Sequence, residues 1–364
     1  MAKASVVVVC SGAPKRGMGW YHATQVLEGR CPSAALTDVV EPFYLSDAGS
    51  SAPGAEDFET WRTTLEKENG VRFHSAVEDV PPLAEGEKRM AVVAGRTGDN
   101  PSLFRSCLGA GCSVIYLEKP GAPSVPELKA MRDEAREKGA RCYVGFNKNV
   151  SAYLRRTMDL AAEKPGSSVT FLHNNAYDEA GLPECFERNA EGMLKNMAIH
   201  ELAILVTYYG VTVESIAEAV ADSEYSDCRT LKGPSSGADF TDFVKLKFRI
   251  KTKDGKEASV AADRCGGDDS VGIVSLPSGD EAGRFVMPDN DAVAAIPDLE
   301  KHHPGAMPYF YAQDPDYAEL KERVAKACAA GEEPEGAASI DGAIEALRVA
   351  EYLTPVLQKQ LLEG

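Results

Sequence analysis

Along the first 150 residues, short apolar runs alternate with segments whose apolar residues recur every three or four positions. "SVVVVC" (5–10) is continuous and apolar, the pattern of a strand covered on both faces of a parallel sheet. A glycine-rich turn and a helix follow in "SGAPKRGMGWYHATQVLEG", with the helix end predicted near Gly29. Further strands are predicted at "AALTDVVEP" (34–42), ending on Glu41, at "RMAVVAG" (89–95) and at "CSVIYLE" (112–118), with a helical "SLFRSCLGAG" between the last two. "PSVPELKAMRDEAREKG" predicts a helix with Ser124 and Glu127 as a capping box, Pro126 in its first turn and Gly139 as its stop. "ARCYVGFN" is the next strand. Such repeated strand–helix units predict a doubly wound parallel sheet over residues 1–150.

After Asn149 the pattern changes. "SSVTFLHNNAY" (167–177) reads as a strand, and "DFVKLKFRIKTKDGKEASVAADRC" (242–265) alternates apolar and polar around Asp254-Gly255, an antiparallel hairpin. "VGIVSLPSGDEAGRFVMPD" supplies another. An α+β domain with a large open, mostly antiparallel sheet is therefore expected over 151–335, with the helix in 336–364 packing back on the first domain. Within it, "EGMLKNMAIHELAILVTYYG" (191–210) reads as one largely buried helix. On that helix Asn196 and His200, four apart, share a face, and Ala203 and Thr207 continue it with small side chains.

A length of 364 residues suits two domains, and 44% apolar composition is ample for their cores. The net charge of −17 repels nucleic acid and anionic membrane, so neither is an expected partner. No run is long enough to span a bilayer, and the opening valines are too few for a signal peptide and read as a strand. Nine cysteines without CxxC pairs point to free thiols in a reducing compartment, the cytoplasm. No metal site is expected. Ile204 stands where HExxH would need its second histidine, and the prolines around His302 and His303 suggest a surface loop. A GxSxG nucleophile elbow is also missing from the sequence.

Candidate chemistry concentrates at strand ends. Gly12 follows the first strand and Gly17 and Gly19 open the helix, small residues that let backbone approach a pyrophosphate. Pro14, Lys15 and Arg16 lengthen the loop beyond GxGxxG, and an ordinary strand–helix turn explains the glycines equally well. Glu41 can accept both hydroxyls of an adenosine ribose and repels a 2′-phosphate, which favours NAD; Lys15 and Arg16 would attract that phosphate, so NADP stays open. "IYLEKP" carries an acid and a base out of a buried strand and then fixes the chain with Pro120. Taken alone, His200 is more simply a satisfied core histidine.

Together, the glycine turn, "IYLEKPGAPS", the "GFNKN" strand end and "GMLKNMAIHELAILVTYYG" resemble the Gfo/Idh/MocA family, the glucose-fructose oxidoreductase and inositol dehydrogenase relatives. The resemblance extends to "DYAELKERVAKACAAGEEPEGAASIDGAIEALRVAEYL", which looks like that family's closing helices. It implies a Rossmann-like N-terminal domain holding NAD or NADP through Gly12, Arg16, Gly17, Met18, Glu41, Thr97, Glu118, Lys119 and Asn147. It also implies a small-molecule substrate, a sugar or polyol, met by Lys148, Arg188, Asn196 and His200. Lys119 matches the lysine beside the nicotinamide ribose and the reacting carbon, and His200 the histidine that gives or takes the proton; with Asn196 they form the implied catalytic set. Asn196 stands where many relatives have aspartate, and a neutral amide cannot raise a histidine's basicity as a carboxylate does. Lys148, Arg188 and Lys195 would alternatively anchor the carboxylate of a hydroxy or keto acid. A homodimer or homotetramer through the second sheet is implied too. A second reading keeps the fold and dinucleotide site in a sensor without turnover.

The chemistry behind the first reading is simple. Oxidising C–OH to C=O sends a hydride away and releases a proton, so a base must reach that oxygen. Lysine can serve, and its charge stabilises a developing alkoxide, provided its ordinary pKa of about 10.4 is lowered. A carboxylate at Glu118 opposes that lowering, and neighbouring strand positions are expected to turn the two side chains to opposite sides.

Overall fold

The computed structural model describes residues 3–363. In chain order the elements are β1 (Ala4–Val9), α1 (Met18–Leu27), β2 (Ala34–Val40), α2 (Ala55–Glu68), β3 (Arg72–His74), β4 (Arg89–Val93), α3 (Asn100–Gly109), β5 (Val114–Leu117), α4 (Val125–Glu137) and β6 (Arg141–Val144). There follow α5 (Ala152–Glu163), β7 (Ser168–Asn174), α6 (Leu182–Arg188), α7 (Met193–Asn196), α8 (Ile199–Tyr209), β8 (Ile216–Ala221), β9 (Asp227–Lys232), β10 (Asp239–Thr252), β11 (Glu257–Asp263), β12 (Ser270–Ser275) and β13 (Glu281–Met287). The chain closes with α9 (Asn290–His302), α10 (Pro308–Ala312), α11 (Asp314–Ala330) and α12 (Ile340–Glu363). Among the described residues no helix is long and apolar enough to cross a membrane.

The first six strands form one parallel sheet in the order β3-β2-β1-β4-β5-β6. Val6 to Val9, Ala91 to Val93 and Val114 to Leu117 are buried throughout, as a sheet covered on both faces requires. The capping box forms: Ser124 Oγ accepts from the Glu127 N–H at 3.4 Å and bonds the Glu127 carboxylate at 2.7 Å. Two elements go beyond the sequence reading. α2 buries only Phe58 and Leu65, so its apolar period is thin. β3 is three residues long and half exposed; the buried Asp38 carboxylate pins it through Arg72 and His74, each at 2.8 Å.

The second sheet runs β13-β12-β7-β11-β10-β8, with β9 on β10, and is antiparallel except for β7 on β11. Both expected hairpins form, β10–β11 around Asp254-Gly255 and β12–β13. The expected single helix over 191–210 is instead broken. The N–H groups of Met197 and Ala198 both donate to the Met193 carbonyl, so the ladder slips, and α8 starts afresh where Leu202 N–H meets the Ala198 carbonyl. Asn196 closes α7 and His200 sits in the first turn of α8, so the shared-face argument for the pair does not hold.

The chain divides into two compact units, Met1–Asn147 with Asp291–Ala343, and Lys148–Asn290 with Ile344–Gly364. The first boundary lies close to the expected 150, but residues 291–335 group with the first unit rather than the second. The reason is buried polar contact: Asp314 at the start of α11 accepts from Tyr21, Gln25 and Arg30, and Glu322 binds Ser33. Most of α12 groups with the second unit instead of the first. Gln360 bonds Ala219 and Ala221 of β8, Gln358 the Thr241 carbonyl, and Glu351 pairs with Lys195.

Candidate active site

Strand order in the parallel sheet reverses between β1 and β4, and a cleft of about 640 Å³ opens at their carboxyl ends. In open parallel sheets that is where ligands bind. The β1–α1 turn forms one wall. A Cβ on Gly17 would lie 2.2 Å from the Ser11 carbonyl oxygen, and one on Gly19 2.5 Å from that of Cys10, while Gly12 has φ of +68°. Only glycines close this turn, and they bring the N-terminus of α1 to the strand end.

Glu41 directly follows β2 and is almost fully buried in the cleft wall. Its Oε2 accepts from the Gly12 N–H at 2.7 Å and the Ser11 hydroxyl at 3.2 Å; its Oε1 accepts from the N–H groups of Phe43 and Tyr44 at 3.1 and 3.3 Å. The carboxylate that the sequence marks as a ribose acceptor thus also ties the glycine turn to the β2 turn. Gly12, Gly17 and Met18 line the cleft with Glu41. Arg16 is exposed beside it, and Thr97 lies half-buried in the loop after β4; neither lines it.

Beyond β5 come Glu118, Lys119 and Pro120, the Lys119–Pro120 peptide being cis. The Glu118 carboxylate turns toward α1 and α11. His22 Nε2 lies 2.8 Å from its Oε1, and the Tyr116 hydroxyl donates to the same oxygen at 3.3 Å. Burial pushes the Glu118 carboxyl up, but the His22 hydrogen bond and the charges of Lys119 and Lys321 outweigh it, leaving it below its usual range. Lys119 is half-buried. Asn147, after β6, is fully buried and donates to Gln313 at 3.0 Å.

In the second unit Glu201 is the centre. Fully buried, it pairs with Lys148 Nζ at 2.8 Å through one oxygen and with His173 Nδ1 at 3.1 Å through the other. Burial pushes its carboxyl up, and Lys148, His173 and His200 together bring it far below the usual carboxylate range. The His200 ring stands nearly edge-on to that of His173, centroids 6.1 Å apart. Asn196 donates to Glu191 at 2.9 Å. Arg188, at the exposed end of α6, bonds the Tyr177 hydroxyl at 3.0 Å and Glu184 at 3.3 Å. His303 is no mere loop residue: it bonds Glu28 at 2.6 Å and packs edge-on against Trp20.

The structure therefore gathers Gly12, Gly17, Met18 and Glu41 at one cleft, and Lys148 and His200 around Glu201. Sequence reasoning missed His22, Lys321, His173 and Glu201. A polar residue inside an apolar run was the available signal for His22 in "MGWYHATQVL" and Glu201 in "AIHELAIL".

Residues 48–146 match the model described as "Oxidoreductase family, NAD-binding Rossmann fold", the Gfo/Idh/MocA model. No curated protein matches the chain in sequence. Solved structures similar to it include a putative myo-inositol dehydrogenase from Sinorhizobium meliloti 1021, at 17% identity and TM-score 0.67, covering 99% of this chain and 98% of that one. Another is scyllo-inositol dehydrogenase from Lactobacillus casei with bound NAD(H) and scyllo-inositol, at 12% identity and TM-score 0.64, covering 99% and 97%. GenD2 from gentamicin A biosynthesis, in complex with NAD, is similar at 18% identity and TM-score 0.65, covering 100% and 95%. Residues 48–146 thus match the NAD-binding Rossmann model of the Gfo/Idh/MocA oxidoreductases, and the chain as a whole shares the fold of the dehydrogenase structures to which it is similar.

Proposed function

We propose that the chain is a nicotinamide-dependent dehydrogenase of small polyhydroxylated substrates, inositols or sugars, with NAD as its preferred cofactor. The observation that carries this reading is the cleft at the β1/β4 switch, walled by the glycine turn and the Glu41 carboxylate. These residues fit a dinucleotide: the turn admits backbone-close phosphate, and Glu41 offers a ribose acceptor and repels a 2′-phosphate. Bound there, the cofactor supplies a hydride acceptor or donor.

In this reading Lys119 takes the proton from the substrate hydroxyl during oxidation and returns it during reduction, its ammonium stabilising the alkoxide. His200 is assigned to the same proton traffic, with Glu201 as the anionic neighbour that Asn196 cannot be. The polyol reading is favoured over a hydroxy acid because the three cations suited to a carboxylate have carboxylate partners already: Lys148 has Glu201, Arg188 has Glu184, and Lys195 has Glu351. The inositol dehydrogenase activities named for similar structures support the same substrate class.

The test is dinucleotide binding by calorimetry, followed by nicotinamide absorbance with a panel of inositols, sugars and hydroxy acids. NAD binding with turnover of a polyol is the expected result. A protein that binds neither NAD nor NADP refutes the proposal.

A further inference from the structure

Beneath the Glu118–Lys119–Pro120 corner lies a buried line of polar groups that the proposed chemistry does not use. Lys321 on α11 and His22 on α1 are both buried, and Lys321 Nζ lies 2.9 Å from His22 Nδ1. Lys321 also donates to the Gln25 side-chain oxygen and, at 2.8 Å, to the Tyr317 carbonyl. Three acceptors surround Nζ, the number an ammonium's three N–H groups can serve. One of them, His22 Nδ1, must then carry a lone pair rather than a proton. The imidazole proton sits on Nε2, which donates to Glu118 Oε1 at 2.8 Å. The rings of Tyr116 and Tyr317 stand edge-on to the imidazole, with centroids 5.5 and 6.0 Å away, and hold its plane.

We propose that His22 and Lys321 are positioning residues of the Glu118–Lys119–Pro120 corner, together holding the Glu118 carboxylate as a fixed negative charge beside Lys119. The donor count makes the line directional. Lys321 fixes the tautomer of His22, and that tautomer hands Glu118 a neutral N–H. A second cation bonded directly to Glu118 would neutralise it; a neutral donor satisfies its oxygen and leaves its charge for Lys119. The groups that face or act on Glu118 are His22 from α1, Tyr116 on β5, its neighbour Lys119, Lys321 and Tyr317 from α11, and Tyr309 from α10. Burial first and then the Lys321 charge hold His22 down to about 4, and burial lowers Lys321 to about 8, so the pair is imidazole and ammonium at neutral pH.

The consequence for turnover rests on the acid–base role proposed for Lys119. A negative Glu118 stabilises the Lys119 ammonium, so the pH at which Lys119 becomes a base is raised; neutralising Glu118 lowers it. His22→Leu removes the only imidazole donor to Glu118, whereas His22→Gln keeps an N–H at the same reach. In alcohol oxidation the acid limb of the pH–rate profile is expected to move down by about one unit in His22→Leu, with kcat changed more than KM, and to return in His22→Gln. An unmoved limb in a folded His22→Leu overturns the proposal.

A second arm needs neither turnover nor cofactor. Histidine NMR of the native, ligand-free protein should show His22 as the Nε2–H tautomer, failing to titrate near the ordinary value of 6.5. In Lys321→Met its titration should rise toward that value. A native His22 that titrates normally, or carries its proton on Nδ1, overturns the inference even where dehydrogenase activity is found. Conversely, the expected spectrum without any dinucleotide binding leaves this inference standing and sinks the functional proposal instead.

Discussion

Two glutamates, Glu118 half-buried and Glu201 fully buried, organise the two units, each with a lysine and a histidine, and they solve the same problem differently. Glu201 takes its lysine directly: Lys148 Nζ on one oxygen, His173 on the other. Glu118 meets its histidine first, and Lys321 is hydrogen-bonded to it only by way of the His22 ring. Direct pairing with Lys148, together with His173 and His200, drives the Glu201 carboxyl far down despite burial. Indirect pairing leaves Glu118 charged and puts the strain on His22, which is held neutral to about 4. The same three residue types thus give an ion-paired centre beside His200 in one unit and a charge presented to a neighbour in the other.

The largest break in this contrast is Lys148→Met. It strands the Glu201 carboxylate with histidines and no permanent cation, and removing one partner of a buried ion pair costs about 3–5 kcal/mol. The double variant Lys148→Met/Glu201→Leu should recover most of that loss. Lys321→Met removes a buried cation that pairs directly with no carboxylate, so its cost is set by three neutral acceptors and should be smaller. Denaturant unfolding of the three variants measures the order; equal costs for the two lysines would erase the distinction.

Acid separates the two units next. The folded pKa of His22 lies below its unfolded 6.5, so its contribution is present above 6.5 and is lost as pH falls toward about 4. Glu201 is likewise depressed, but from 4.5, so its contribution survives until pH drops below that. Hydrogen exchange resolved by segment should therefore show α1 loosening at a higher pH than α8. The reverse order contradicts the protonation states assigned here.

Gly145→Ala tests the room around Glu118. A Cβ there would lie 2.8 Å from the Tyr116 hydroxyl and 3.0 Å from Glu118 Oε1, so the pair must shift. Overpacking of this kind costs about 1–3 kcal/mol, read as a lower thermal midpoint. The smallest effect is expected from Glu41→Ala, a rise in NADP affinity relative to NAD of roughly tenfold, the scale of one hydrogen bond to a charged group. An unchanged ratio means that Glu41 serves the turn and not the ribose.

Much of the parallel-sheet unit was legible because its strands are continuous apolar runs with glycines at the turns, and the two hairpins because period-two alternation surrounds their turn residues. α2 and β3 were not, since one buries two side chains and the other is held by Asp38 rather than by its own pattern. The break between Asn196 and His200 was hidden because the apolar residues of 191–210 satisfy one helix as readily as two. Gly12 and Glu41 could be located from strand ends. His22 and Lys321 could not be joined, being 299 positions apart, and Glu201, adjacent to His200, looked like helix filler until Lys148 was seen to meet it.

The central proposal is that Lys119 exchanges the substrate proton while hydride passes between substrate and nicotinamide. The most direct measurement compares native protein and Lys119→Ala for NAD affinity and for turnover of the best polyol substrate. The account predicts retained NAD binding and a loss in kcat of at least about 100-fold. Turnover near the native rate in the alanine variant would contradict it.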